Sequence, residues 1–90
     1  MRITEKDLTI LVARLNELTG SPLTYMDENR KTNIGHFCLD YAYGGVQLQR
    51  VTNYSGGIST FFNTGYTTKR ELYNLIHAFI DGYKMAEGEV

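Results

Sequence analysis

Apolar and polar positions along this chain follow two different periods, and each change of period marks the end of an element. Leu8, Leu11, Val12, Leu15 and Leu18 recur at spacings of three and four, which lays them on one face of a helix while Lys6, Arg14 and Glu17 point elsewhere. Thr4 stands where an N-cap belongs, with Asp7 three residues on and Ile3 and Leu8 spaced as the two halves of a hydrophobic staple. Gly20 offers a left-handed C-cap and Pro22 forbids resumption, so the helix is expected to end at Leu18 or Thr19. Residues 21–33 are polar and are read as a solvated connection, with Leu23 to Met26 extended.

From His36 the period becomes two. Phe37, Leu39, Tyr41 and Tyr43 fall on one face of a strand, and His36, Cys38, Asp40 and Ala42 on the other. Gly44 and Gly45 are placed to make a two-residue hairpin turn, and Val46, Leu48 and Val51 with the intervening Gln47 and Gln49 form the returning strand. Asn53, Ser55, Gly56 and Gly57 read as a second turn, and Ile58, Thr60, Phe61 and Phe62 as a third strand, broken at Asn63, Thr64 and Gly65. Thr68 and Glu71 have the spacing of a capping box, after which Leu72, Leu75, Ile76, Phe79, Ile80 and Tyr83 form an apolar helical stripe. The expected architecture is α+β: helix, three-stranded antiparallel meander, helix. Both helices should cover one sheet face and leave the other to solvent or a partner.

At ninety residues there is room for one core, so residues 1–90 are read as a single domain. A formal charge of −1 argues against a strongly electrostatic nucleic-acid binder. The single cysteine, Cys38, excludes an intramolecular disulfide and suits a reducing interior. Met1 is followed by charges within seven residues and no run resembles a signal peptide or a membrane span, so the chain is read as starting at Met1 and as cytoplasmic.

Catalytic constellations are sparse. His36, Cys38 and Asp40 share one strand face and have the residue types of a nucleophile, base and orienting acid. Same-face strand neighbours, however, stand roughly 6–7 Å apart, long for direct contact. A metal centre would have to draw on His36, Cys38 and the remote His77, too few ligands at compatible spacing. The glycine pairs lack the Gly-Lys-Ser/Thr of a phosphate loop, and Asp27 and Glu28 lie in a polar loop with no apolar pocket to tune them. The sequence therefore points away from an enzyme and implies neither metal nor cofactor.

Tyrosine is over-represented, with seven copies and no tryptophan, and several copies fall at strand ends and turns. Exposed tyrosines combine apolar area with a hydrogen-bonding tip, so Tyr41, Tyr43, Tyr54 and Tyr66 are the candidate contacts for a protein partner. The element order is also that of the double-stranded RNA-binding domain. Gly65-Tyr66-Thr67-Thr68-Lys69-Arg70-Glu71 resembles the basic start of that family's last helix, although the alanine-rich helix and a third base are missing. The resemblance makes Lys69 and Arg70 candidates for phosphate contact, and Arg50 is read as a third candidate beside them.

Four segments, Arg2-Ile3-Thr4-Glu5-Lys6-Asp7-Leu8, Leu15-Asn16-Glu17-Leu18-Thr19-Gly20-Ser21-Pro22, Leu39-Asp40-Tyr41-Ala42-Tyr43-Gly44-Gly45 and Gly65-Tyr66 ahead of Lys69-Arg70-Glu71-Leu72, resemble small uncharacterised proteins encoded by bacteriophages and prophages. That group has no assigned activity, so no residue role transfers. The resemblance implies a phage accessory protein in the bacterial host cytoplasm. Such a protein would bind a host or phage protein stoichiometrically, for instance as an inhibitor of CRISPR or another host defence. A nucleic-acid-binding module and a sequestering agent for a small nucleotide are the alternatives. An unpaired edge strand would also allow a homodimer.

Overall fold

The computed structural model describes residues 2–55, 57–62 and 64–88. Helix α1 spans Glu5–Thr19, and its first turn is closed from both sides: the Thr4 hydroxyl accepts from the Asp7 N–H, and the Asp7 carboxylate accepts from the Thr4 N–H at 2.9 Å. That backbone hydrogen bond holds the Asp7 carboxyl below its ordinary range. Gly20, at φ 71°, supplies the left-handed C-cap. Ile3 and Leu8 are both buried, as a hydrophobic staple requires.

Strands β1 (Phe37–Ala42), β2 (Gly45–Val51) and β3 (Ile58–Thr60) form one antiparallel sheet in the order β1-β2-β3, and helix α2 (Lys69–Ala86) closes the chain. Phe37 stands opposite Arg50, Leu39 opposite Leu48 and Tyr41 opposite Val46, which aligns the apolar positions on one face. Both helices pack there. Leu8, Val12 and Leu15 of α1 meet Leu72, Ile76 and Ile80 of α2 over Phe37, Val46 and Leu48. Each such side chain, once fully buried, contributes about 1.5–3 kcal/mol. Phe61 fills the remaining corner, edge-on to Phe37 at 4.9 Å and to Phe79 at 5.0 Å between ring centroids.

Three local expectations change in the folded chain. The hairpin turn is made by Tyr43 (φ 55°) and Gly44 (φ 72°), one residue earlier than Gly44-Gly45, and Gly45 pairs with Ala42 inside the sheet. Gly45 is required there for a different reason: a Cβ at this position would lie 3.0 Å from the Thr67 carbonyl oxygen and 3.1 Å from Tyr66 Cβ. Strand β3 ends at Thr60: the Phe61 N–H still donates to the Leu48 carbonyl at 2.9 Å, and beyond it the Phe61 and Phe62 rings pack against the core. At α2 only half of the capping box forms. Thr68 accepts from the Glu71 N–H, while the Glu71 carboxylate is taken by the Thr67 hydroxyl.

The connection after α1 is exposed from Leu23 to Lys31, as its composition suggests, and is tied down at its far end. Thr32 is buried and donates to the Tyr54 carbonyl at 2.6 Å, and the Gly35 N–H donates to the Val51 carbonyl at 2.9 Å. Gly56 and Asn63, assigned from sequence to a turn and a strand break, lie outside the described residues.

Candidate functional site

The β1–β2 turn projects between the first turns of both helices, because α1 and α2 begin at the same end of the sheet. Two shallow cavities flank it. One, of about 600 Å³, is lined by Glu5, Tyr41, Gly45, Thr68 and Lys69 among others. The other, of about 430 Å³, is lined by Tyr43, Gly44, Tyr66, Thr67 and Glu71 among others. Thr67 exchanges backbone hydrogen bonds with Val46 at 2.9 Å in both directions, so the segment leading into α2 is stitched to the edge of the hairpin.

Tyr43 sits at the tip. It is 93% exposed and occupies the left-handed region, where an L-residue other than Asn, Asp or Gly is disfavoured by about 1–2 kcal/mol. Its ring meets Tyr66 edge-on at 5.3 Å. Tyr66 is held in turn, since its hydroxyl donates to the Asp40 carboxylate on the outer sheet face. That hydrogen bond raises the Tyr66 phenol above its ordinary value, with burial and the Asp40 charge adding to it. Tyr41 lies on the helix-side face of the same strand end, and burial together with Glu5 raises its phenol. Asp40, Tyr66 and Tyr43 thus form a linked chain that ends in an exposed ring.

The four tyrosines singled out from sequence do not make one surface. Tyr41, Tyr43 and Tyr66 gather at the tip. Tyr54, 76% exposed, belongs to the β2–β3 turn at the other end of β2, about 20 Å away by strand rise. The basic candidates separate as well. Lys69 and Arg70 are exposed at the start of α2, beside the tip. Arg50 is committed inward: its guanidinium lies 4.5 Å above the Phe37 ring, and its Nε donates to the Gly35 carbonyl at 3.0 Å. Glu5 and Glu71 stand around the same tip, so its charge is mixed in sign.

The outer sheet face is polar and largely self-satisfied. Gln49 Nε2 donates to Gln47 Oε1 at 2.7 Å, and the Thr60 hydroxyl donates to the same oxygen at 3.3 Å. Cys38 lies half-buried beside them, and burial followed by the Asp40 charge pushes its thiol up, which disfavours the nucleophilic thiolate. His36 is occupied too. Its Nδ1 lies 2.8 Å from the Pro22 carbonyl oxygen, which can only accept, so Nδ1 carries the proton. His77 packs against the Tyr73 ring at 4.6 Å. Among the described residues no group of three His, Cys, Asp or Glu side chains stands where it could hold a metal ion, and no helix is long and apolar enough to cross a membrane.

One residue of consequence carried no label in the sequence reading. Asn16, on α1, is buried and makes two hydrogen bonds to the backbone of Phe37: its Oδ1 accepts from the N–H at 2.8 Å and its Nδ2 donates to the C=O at 3.0 Å. Its signal was its place four residues after Val12 and eight after Leu8, a polar side chain in an apolar stripe. Compared with known proteins, the chain matches no family model, no curated protein and no solved structure.

Proposed function

We propose that this chain is a non-catalytic binding protein whose contact surface is the hairpin tip, with Tyr43 at its centre and Tyr41 and Tyr66 beside it. The observation that carries the reading is the placement of Tyr43. Folding alone favours Asn or Gly at this turn position and favours covering an aromatic ring, yet the chain keeps a tyrosine there, exposed, in the left-handed region and steadied by Tyr66. An aromatic presented on a rigid turn loses little entropy on binding, which suits a protein interface. The partner is a host or phage protein in the bacterial cytoplasm, and blocking a host defence is one outcome such binding would produce. Tyr54 stands outside this surface.

The test is capture of partners by the tagged protein from bacterial lysate, with and without nuclease, comparing wild type with Tyr43→Asn and Tyr54→Asn. A stoichiometric protein that survives nuclease, is lost with Tyr43→Asn and is kept with Tyr54→Asn supports the reading. Equal capture by all three proteins refutes it. Lys69 and Arg70 beside the tip favour nucleic acid as the second reading, without Arg50. That reading requires nucleic acid recovered only without nuclease, and an affinity for duplex RNA that falls steeply with salt.

A further inference from the structure

In the β1–β2 ladder, Ala42 and Gly45 close the two-residue turn, so Cys38, Asp40 and Ala42 exchange hydrogen bonds with β2 while Phe37, Leu39 and Tyr41 turn their N–H and C=O groups to the outer edge. The two Asn16 hydrogen bonds to Phe37 lie on that outer side and take up its groups. Among the described residues nothing takes up those of Leu39 and Tyr41. Alongside them runs a groove of about 370 Å³ between the edge and α1. Its roof is Thr9 and Ala13, small and exposed, and its apolar walls include Leu23, Leu39 and Tyr41.

We infer that the free edge of β1 is a docking site for an extended segment of a partner protein, added as a fourth, antiparallel strand with a basic residue opposite Asp40 and an apolar residue on either side of it. The apolar residues face Leu39 and Tyr41 and point into the groove under Thr9 and Ala13, while the basic residue lies on the outer face, where the Asp40 carboxylate stands. Edge addition draws its affinity from backbone hydrogen bonds and its selectivity from the alternating side chains. Asn16 marks where the added strand stops.

A second copy of this chain fits the edge poorly. A two-fold pairing centred on Leu39 would need the Phe37 groups that Asn16 already holds, and one centred on Tyr41 would need Tyr43, which is in the turn. The remaining register, centred on Asp40, sets two Asp40 carboxylates directly opposite each other, and like charges so placed are destabilising. The same carboxylate that opposes self-pairing favours a basic segment. The inference shares Tyr41 with the tip surface and goes beyond it, since the added strand need not touch Tyr43.

The test is selection from a bead-bound library of random heptapeptides by wild type and by Ala13→Arg, which fills the groove from an exposed helix position and leaves the fold intact by circular dichroism. Peptides kept by wild type and rejected by Ala13→Arg should share an apolar–basic–apolar core. Methylating the backbone nitrogens of the two apolar residues should weaken such a peptide at least ten-fold. A glutamate in place of the basic residue should do the same, and Asp40→Asn, which still accepts from Tyr66, should reduce that discrimination to under three-fold. In solution NMR the Leu39 and Tyr41 amides should gain protection from exchange. Selection of no peptide over the Ala13→Arg background overturns the inference, as do equal binding of basic and acidic peptides, protection at other amides, or a concentration-dependent dimer paired through β1.

Discussion

Replacing Asn16 by alanine should be among the most damaging single substitutions in α1. The side chain is 1% exposed and satisfies both backbone groups of Phe37, so its removal leaves a buried N–H and a buried C=O without partners. Each orphaned group costs about 1–3 kcal/mol, and alanine returns up to about 0.7 kcal/mol through its better helix propensity. Water entering from the groove that Asn16 lines lowers the cost further. The net loss is about 1.5–4 kcal/mol, a large share of the roughly 5–15 kcal/mol that stabilises a domain of this kind. Urea unfolding followed by circular dichroism should show the midpoint fall with an unchanged slope, and the melting temperature should drop by roughly 10–25 °C. Asn16→Leu separates hydrogen bonding from packing, because it keeps the branching and number of heavy atoms, with bulkier methyl ends, and loses both bonds. If Asn16→Leu stays within about 0.5 kcal/mol of wild type, the paired amide is not what holds α1 to the β1 edge, and the reasoning fails.

Tyr66 is expected to be a late-titrating tyrosine. Its folded value is raised chiefly by donating to Asp40, so this contact contributes fully below the ordinary tyrosine range and is lost as the pH climbs through the raised value. Ultraviolet titration of wild type against Tyr66→Phe should show a phenolate step above the ordinary tyrosine range missing from the variant, and loss of a step within the ordinary range would dismiss the contact. Cys38 should react with iodoacetamide several-fold more slowly than a free thiol at pH 8, because burial and Asp40 both disfavour the thiolate; faster reaction would revive a catalytic reading of His36, Cys38 and Asp40. Gly45→Ala should destabilise by about 1–3 kcal/mol, since the new methyl meets the Thr67 carbonyl at 3.0 Å and must push the Thr67 bridge off β2. Denaturant unfolding of that variant, with the Val46 and Thr67 amides followed by hydrogen exchange, checks the cost and the place; a neutral substitution would mean that the segment moves aside freely.

The candidate surface was only partly legible in the sequence. Composition and turn placement were enough to pick out Tyr43 and Tyr66, because exposed aromatics beside glycines stand out in a one-dimensional reading. Their grouping was not legible. Tyr54 has the same local signature as Tyr43 and ends up at the far end of β2, while the Tyr66–Asp40 hydrogen bond joins residues 26 apart. Arg50 looked like a phosphate ligand only while nothing indicated that Phe37 and Gly35 would lie within reach of its guanidinium.

What the sequence by itself determined was the set of elements and most of their ends. Thr4, Asp7 and Gly20 act on backbone groups within four residues of themselves, and the spacing of Leu8, Val12 and Leu15 or of Leu72, Ile76 and Ile80 needs only helical geometry to define a face. The order helix, meander, helix follows from such short-range terms. Tertiary structure decided the rest. The turn moved to Tyr43-Gly44 because that register sets Leu39 against Leu48 and frees Gly45 for the close approach of Thr67. Strand β3 stops after the Phe61 N–H meets the Leu48 carbonyl, where the Phe61 ring packs on Phe37 and Phe79. Asn16 left the usual role of a helical polar residue because the edge it covers belongs to a strand 21 residues away. Interactions of that range depend on which surfaces the packed elements bring together, and no local pattern encodes it.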